Sequence, residues 1–161
     1  MKKPKAQSIV GPMPDDLQIS LGSGIAAFEA KQFSQARSLL KPYAEAGEAT
    51  AQYRLAIMCQ NGLGQVRNEQ LAYRWMASAA GQSYGPAIHG LGQMHLEGDC
   101  TVKDERKALA CFQQAADLGL EGSMVALARM YQQGRGTDKD AIKAKVLYER
   151  AGFDPDELPG Y

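Results

Sequence analysis

Apolar residues in this chain recur with the period of an amphipathic helix, and the pattern itself repeats. Leu55 and Met58 are three residues apart, so their side chains share one face of a helix. The same pair returns 36 residues later as Leu91 and Met94, and once more after a further 36 residues. The pattern therefore predicts helices that each present an apolar stripe, arranged in copies of equal length.

Three consecutive copies span residues 48–83, 84–119 and 120–155 without an insertion. Five positions carry the same residue in all three copies: Leu55/Leu91/Leu127, Met58/Met94/Met130, Gly62/Gly98/Gly134, Ala72/Ala108/Ala144 and Ala79/Ala115/Ala151. One copy cannot bury its apolar stripe alone, whereas stacked copies can. The repetition therefore indicates an array in which each copy is the packing surface of the next.

Each copy is predicted to form two helices joined by a turn. A glycine that tolerates the left-handed conformation closes the first helix, at Gly62, Gly98 and Gly134. A residue that can accept hydrogen bonds from unpaired amides opens the second helix, at Asn68, Asp104 and Asp140. The turn holds a second glycine, Gly64 and Gly136, in two copies. Cys100 takes this position in the middle copy, which predicts that the turn does not need a positive φ there.

The residues before Glu48 form a shorter relative of these copies. Gly24, Phe33 and Ala36 follow the spacing of a helical pair whose turn has shrunk to a residue or two around Lys31–Phe33. Pro42 stands late in the second helix of this pair and is expected to kink or end it. Pro86 is expected in the first turn of its helix, where a missing amide is harmless.

These motifs resemble those of the Sel-one-like repeat, an α/α relative of the tetratricopeptide repeat. The resemblance rests on Ala51, Leu55, Met58, Gly62, Gly64, Asn68, Ala72, Trp75 and Ala79 in the first copy and on their counterparts in the next two. Gly24, Phe33 and Ala36 resemble the tetratricopeptide pattern itself. The resemblance implies an all-α, superhelical solenoid of about four helix-turn-helix repeats. We accordingly divide the chain into a flexible segment 1–16, a repeat domain 17–153 and a tail 154–161.

The resemblance also implies a function. Its members serve as non-catalytic scaffolds and adaptors, many of them in bacterial signalling, secretion or envelope assembly. We therefore expect a module that binds a peptide or helix of a partner protein in a concave groove. One alternative is a regulatory subunit that binds through its C-terminal edge or convex face, and a weaker one is a hydrolase with an unrecognised site.

In tetratricopeptide-like arrays the first helix of each pair lines the groove. Aligning the small residues Gly24, Ala56, Gly92 and Ala128 gives the groove-facing positions. The candidate partner-binding residues are Leu21, Ile25, Phe28, Tyr53, Ile57, Gln60, Asn61, His89, Gln93, Glu97, Arg129 and Gln132. The first five could anchor apolar side chains of a ligand, whereas the other seven are polar and could hold a peptide backbone. Two alternatives remain: the apolar residues are core or are covered by Ile9–Met13, and the polar residues are a solvated face.

Composition narrows the classes of partner. Lys plus Arg and Asp plus Glu are both 18, so the formal charge is zero, which disfavours nucleic acid as a partner. No apolar run is long enough to span a bilayer. The start of the chain has no apolar core of a signal peptide, and three cysteines are an odd number for a disulfide framework. We expect a cytoplasmic protein, or a periplasmic one if a leader has been removed.

The sequence predicts no catalytic residues, metal or cofactor. His89 and His95 are six residues apart, so their side chains point in different directions on a helix. Zinc ligands usually stand three to five residues apart or in a Cys-x2-Cys knuckle, and the three cysteines form no such knuckle. Cys59, Cys100 and Cys111 do not recur in register, which disfavours the family branch that links its paired helices by disulfides.

The sequence leaves open what covers the C-terminal edge of the array. Ala144, Leu147 and Tyr148 should leave part of an apolar face uncovered after the last copy. Either Phe153, Leu158 and Tyr161 fold back over it, which we favour, or a second copy or a partner covers it. We therefore expect a monomer, or a weak dimer through this edge.

Overall fold

The computed structural model describes residues 15–158, and this part of the chain forms eight α-helices and no strand. Contacts between Cα atoms divide the chain into an N-terminal unit that ends at Gln82 and a C-terminal unit that begins at Ser83. Each unit contains two helical pairs. The all-α helix-turn-helix prediction is confirmed for the described residues.

The N-terminal unit holds α1 (Asp15–Glu29), α2 (Phe33–Glu45), α3 (Ala49–Asn61) and α4 (Glu69–Ala80). Each helix packs mainly on its neighbour in the chain. The core consists of small and aliphatic side chains from the first three helices, namely Ala27, Ala36, Leu40, Ala44, Ala51, Leu55 and Met58. Because alanines occupy so many core positions, the helix backbones approach each other closely.

The C-terminal unit holds α5 (Gly85–Glu97), α6 (Glu105–Asp117), α7 (Glu121–Gln133) and α8 (Ala141–Arg150), followed by a short 3-10 helix at Pro155–Glu157. Its core is larger in side-chain size, because the Phe112 ring lies fully buried among Leu127, Met130 and Tyr148. Phe112 also packs beside Gly92, where an added Cβ would stand 3.0 Å from the ring. The predicted small-residue position therefore lies where α5 and α6 meet.

The predicted helix ends are confirmed in all three long repeats. Gly62, Gly98 and Gly134 end their helices with φ of 64°, 67° and 69°. The side chains of Asn68, Asp104 and Asp140 each accept a hydrogen bond of 3.0 Å from the backbone amide three residues later. These caps satisfy backbone groups that the helices leave unpaired, so they set where each helix stops and starts.

The second position of the turn corrects one prediction. Cys100 has a φ of 62°, close to the 67° and 68° of Gly64 and Gly136. The turn therefore does use a positive φ when cysteine occupies it. The reason is the shared backbone path, because the amide of Asp104 donates to the carbonyl of His95 at 2.8 Å, as the corresponding bonds close the other two turns.

The opening pair differs from the others in its turn and its proline. Residues 30–32 connect α1 to α2, with Lys31 at a φ of 60°. Pro42 is expected to kink or end the helix. It does not end it, because α2 continues to Glu45 and the Pro42 carbonyl accepts a hydrogen bond from the amide of Ala46. A kink at Pro42 stays a prediction. Pro86 lies at the start of α5, as predicted.

Residues after α8 pack back on the last repeat. Leu158 is half-buried against the cluster that contains Ala144, Leu147 and Tyr148, whereas Phe153 is 48% exposed. Tyr161 and the proposed cover Ile9–Met13 lie outside the described residues. The domain boundaries at residues 16 and 153 stay a prediction.

Candidate partner-binding site

The predicted groove residues all stand on the first helix of a pair, in α1, α3, α5 or α7. None of them is fully buried: Asn61, Gln93, Glu97 and Arg129 are exposed, and the other eight are half-buried. Neighbours on the same helices, such as Met58, Met94 and Met130, are buried. Each first helix thus has one face in the core and another that solvent reaches.

In the N-terminal unit this accessible face is apolar. We call Leu21, Ile25, Phe28, Tyr53 and Ile57 the N-terminal apolar face. Its first three members pack against the core cluster from one side and remain partly open on the other. The chemistry of the face therefore suits apolar side chains of a ligand.

Phe28 is held from two directions. Its ring meets the Phe33 ring edge-on, with centroids 5.8 Å apart and an interplanar angle of 74°. The Arg54 guanidinium lies 5.8 Å from the centroid of the Phe28 ring, and its Nη1 donates to the Thr50 carbonyl at 2.9 Å. An aromatic ring between a second ring and a cation loses little mobility when a ligand packs on it.

The polar candidate Asn61 is already engaged with its own helix. Its Nδ2 donates to the Ile57 carbonyl at 3.0 Å, one turn earlier. The side chain therefore has fewer donors to offer a peptide backbone than the sequence suggested. Its carbonyl oxygen remains available as an acceptor.

In the C-terminal unit His89 joins two helices. His89 Nδ1 and Ser123 Oγ are hydrogen-bonded at 2.7 Å, which links α5 to α7. The imidazole also lies 5.2 Å from the Phe112 ring centroid. Burial lowers the pKa of His89 below its ordinary value of 6.5.

This Ser–His pair does not have the exposure that a nucleophile needs. Ser123 is 0% exposed, so a substrate cannot approach Oγ while the core is intact. The pair instead satisfies a buried hydroxyl, which would otherwise cost free energy. Sequence reasoning did not find it, although one signal was present: Ser123 occupies a position where the other two copies have Ala51 and Ala87.

The two candidates on α7 line a pocket in the C-terminal unit. A cavity of about 220 Å³ has walls of Val125, Tyr148, Phe153 and Leu158 and a polar rim of Arg129, Gln132 and Gln133. The structure thus brings two predicted groove residues together with the tail. The sequence could not place the tail beside them, because no local rule fixes where a loop-like segment docks.

The outer face of α8 is a second accessible surface, which we call the α8 edge. Ile142 is 78% exposed and Val146 is 48% exposed, one turn apart. Their counterparts in the two preceding copies are Arg106 and Ala110, then Gln70 and Arg74. The last copy therefore presents larger apolar side chains where the earlier copies present polar or small ones.

The cysteines are free thiols in the structure. Burial raises the pKa of Cys59, although a hydrogen bond from Gln65 and the charge of Arg37 oppose the rise. Burial also raises the pKa of Cys111. Among residues 15–158 no cluster of three or more His, Cys, Asp or Glu could hold a metal ion.

A family model described as the Sel1 repeat matches residues 49–84, 85–120 and 122–152, which is more than half of the chain. The chain belongs to the Sel1 repeat family. Sel1 repeats are generally protein–protein interaction modules and typically non-catalytic scaffolds. The predicted fold class, an all-α solenoid of helix-turn-helix repeats, is confirmed.

Three solved structures share this fold. The chain is 26% identical to c5321, a protective antigen present in uropathogenic Escherichia coli strains that displays an SLR fold, with a TM-score of 0.79 over 84% of this chain. It is 26% identical to a Sel1 repeat protein from Oxalobacter formigenes, with a TM-score of 0.77 over 82%. The match covers only 30% and 54% of those two proteins.

The third structure is Helicobacter pylori cysteine rich protein B. This chain is 20% identical to it, with a TM-score of 0.56, and the match covers 91% of this chain and 95% of that one. At this identity the likeness concerns the fold alone. In the described part of our chain, no helix combines the length and apolar character that a bilayer-spanning helix requires.

Proposed function

We propose that this Sel1 repeat chain is a non-catalytic adaptor that binds a peptide or helix of a partner protein on the accessible faces of its first helices. The observation that carries the proposal is the N-terminal apolar face, where Phe28, Tyr53 and Ile57 stay partly open although they belong to a folded unit. Large apolar side chains at such places are typical of residues that dominate binding energy.

The first helices of the two units offer different chemistry, which suits a different kind of ligand segment in each unit. The first two pairs offer apolar side chains, and the last two offer Gln93, Glu97, Arg129 and Gln132. An amphipathic helix could place its apolar side on the former, and an extended segment could hydrogen-bond to the latter. The two solved structures at 26% identity come from bacteria. We therefore extend the proposal to a bacterial signalling, secretion or envelope-related assembly.

The experiment begins with a purified partner. Affinity purification from the native cell with mass spectrometry would supply candidates, and titration calorimetry would give the dissociation constant of each. We expect Phe28→Ala and Tyr53→Ala each to weaken binding by about tenfold or more, because a binding hot spot is worth about 2 kcal/mol. Val66→Ala is the matched control, since Val66 is an apolar side chain that is 90% exposed on a turn.

Unchanged affinity in both variants, with circular dichroism spectra like that of the parent chain, would remove the accessible first-helix face as the binding surface. A fall in affinity that Val66→Ala reproduces would also count against it, since the loss would then not be specific to that face.

A second candidate surface is the α8 edge. It is favoured by one observation, the exposure of Ile142 and Val146 in a shallow depression of about 250 Å³ that includes Lys145 and Glu149. A regulatory subunit could bind an enzyme or a membrane complex through it. Ile142→Lys would abolish partner binding in that case and leave it unchanged if the first-helix faces bind.

A further inference from the structure

The cavity between α7, α8 and the tail has the features of a specific subsite. We propose that it takes one large apolar side chain of a partner peptide, and that Arg129 binds a carboxylate on the next residue of that peptide. This inference rests on the proposed function, and it names the ligand chemistry that the C-terminal unit recognises.

The size of the cavity matches one side chain. Its volume is about 220 Å³. An apolar cavity of about 150 Å³ accommodates benzene, whereas sites for drug-sized molecules span about 300–1,000 Å³. The volume therefore fits an aromatic or branched aliphatic side chain and is too small for a nucleotide-sized cofactor.

The walls are apolar and come from three elements. Val125 stands on α7, Tyr148 on α8, and Phe153 and Leu158 in the tail. Val125 and Leu158 both pack against the buried cluster of this unit, so two walls are tied to the core. A side chain that enters would bury apolar surface against partners that are already in place.

Arg129 and Gln132 bring hydrogen-bond donors to the rim. Tyr148 Oη donates to Gln132 Oε1 at 3.2 Å, so Gln132 turns its amide nitrogen to other partners. The Arg129 side chain carries donors only, is exposed, and makes no hydrogen bond or ion pair with any residue the structure describes. Such a rim selects a ligand rich in acceptors, above all a carboxylate.

The acidic residues of the tail do not neutralise this arginine. Asp154 Oδ1 accepts from the Asp156 amide at 3.0 Å, and Asp156 Oδ1 lies 3.7 Å from Lys145 Nζ. Glu157 is exposed, and its side chain forms no hydrogen bond or ion pair with a described residue. The positive charge of Arg129 is thus left for a ligand.

The test uses the full chain and four synthetic peptides. The parent peptide is acetyl-Gly-Phe-Asp-Gly-amide, and the others replace Phe by Ala, Asp by Asn, or both. Binding is followed by NMR through the side-chain amide signals of Gln132 and Gln133. We expect the parent to bind with a dissociation constant on the order of 1 mM, because one side chain and one ion pair contribute little in isolation.

The decisive comparison is a double-mutant cycle. We expect Arg129→Gln and the Asp-to-Asn peptide each to weaken binding by about two- to fivefold, and the two together to weaken it by no more than either alone. The Phe-to-Ala peptides should show no saturable shift. Arg106→Gln is the matched control, because Arg106 is exposed in the same unit and lies outside the cavity.

Additive losses, or equal affinity for the Asp and Asn peptides, would overturn the assignment of Arg129. Binding that appears only in a Tyr161→Ala variant would overturn the proposal in favour of the chain's own Tyr161 as occupant. The proposed function fails separately, since it is judged by Phe28→Ala and Tyr53→Ala on a purified partner, whereas this cycle needs no partner.

Discussion

The two units use the same helical pair and give it different surfaces. The first helices of the N-terminal unit expose Phe28, Tyr53 and Ile57, whereas those of the C-terminal unit expose Gln93, Glu97 and Arg129. The buried methionines of the same helices hardly change, with Met58, Met94 and Met130 at 0%, 0% and 2% exposure. The comparison teaches that the repeat fixes the residues on the buried face of each first helix. The residues on the accessible face can differ and so suit different ligands.

The interiors differ in how they satisfy buried polar groups. In the N-terminal unit Gln52 Nε2 donates to the Ala44 carbonyl at 3.1 Å and its Oε1 accepts from Gln82 at 2.9 Å. In the C-terminal unit the hydrogen bond between His89 and Ser123 takes the corresponding role. One network is insensitive to pH near neutrality and the other contains a titratable ring.

The largest loss of stability should come from removing a large side chain from the core of the C-terminal unit. Phe112→Ala removes a fully buried ring and should lower the free energy of unfolding by about 3–5 kcal/mol. Met76→Ala, at the same repeat position in the N-terminal unit, should cost about 2–4 kcal/mol because less volume is lost. Urea denaturation followed by circular dichroism would measure both. A larger loss for Met76→Ala would contradict the ranking.

The turn glycines come next. Ala at position 136 would adopt a φ near 68°, and its Cβ would stand 2.5 Å from the Glu105 carbonyl oxygen. Gly136→Ala should therefore cost about 2–3 kcal/mol, and Gly64→Ala, whose Cβ would stand 2.7 Å from the Phe33 carbonyl carbon, should cost a similar amount. Gly119→Ala is the control, with a positive φ but no atom within 4 Å, and should cost about 1 kcal/mol.

Equal losses at Gly136 and Gly119 in thermal unfolding would mean that the close approach adds nothing to the backbone strain.

Removal of a helix cap should lower stability less than these changes do. The loss should distinguish the opening helical pair from the pairs of the long repeats. Asn68→Ala and Asp104→Ala each remove a side-chain hydrogen bond to a helix amide and should cost about 1 kcal/mol. Gln32→Ala should cost close to nothing, since the Gln32 side chain makes no such bond at the start of α2. Chemical denaturation midpoints would rank the three. A loss at Gln32 equal to that at Asn68 would contradict the assignment.

The smallest effect concerns pH. Because burial lowers the pKa of His89, the unfolded chain binds its proton more readily than the folded chain does. Stability should be fully present above about pH 6.5 and should fall as pH drops below that value. His89→Gln should make the change in urea midpoint between pH 8 and pH 5 smaller. A change as large as that of the parent chain would show that His89 does not contribute.

Local rules account for the parts of the fold that the sequence predicted. The Gly62, Gly98 and Gly134 helix ends and the Asn68, Asp104 and Asp140 caps depend on a few neighbouring residues, and all are found in the structure. Two expectations are wrong, a turn without a positive φ at Cys100 and a helix end at Pro42, and both have the same origin. Cys100 and Pro42 both occupy backbone positions that their residue type disfavours, and the surrounding hydrogen bonds override that preference.

The candidate site was predictable only in part. The repeat register placed Phe28, Tyr53 and Arg129 on accessible helix faces, because a register carries over from one copy to the next. The contact between His89 and Ser123 and the docking of Phe153 and Leu158 beside Arg129 depend on tertiary packing between distant residues. No periodicity within the chain encodes such contacts.

Hydrogen exchange of the chain with and without a purified partner protein tests the central claim most directly. If the first-helix faces bind the partner, amides of α1, α3, α5 and α7 should gain protection, with the strongest gain around residues 21–28 and 53–57. Protection confined to α8, or to the second helices α2, α4 and α6, would contradict the account.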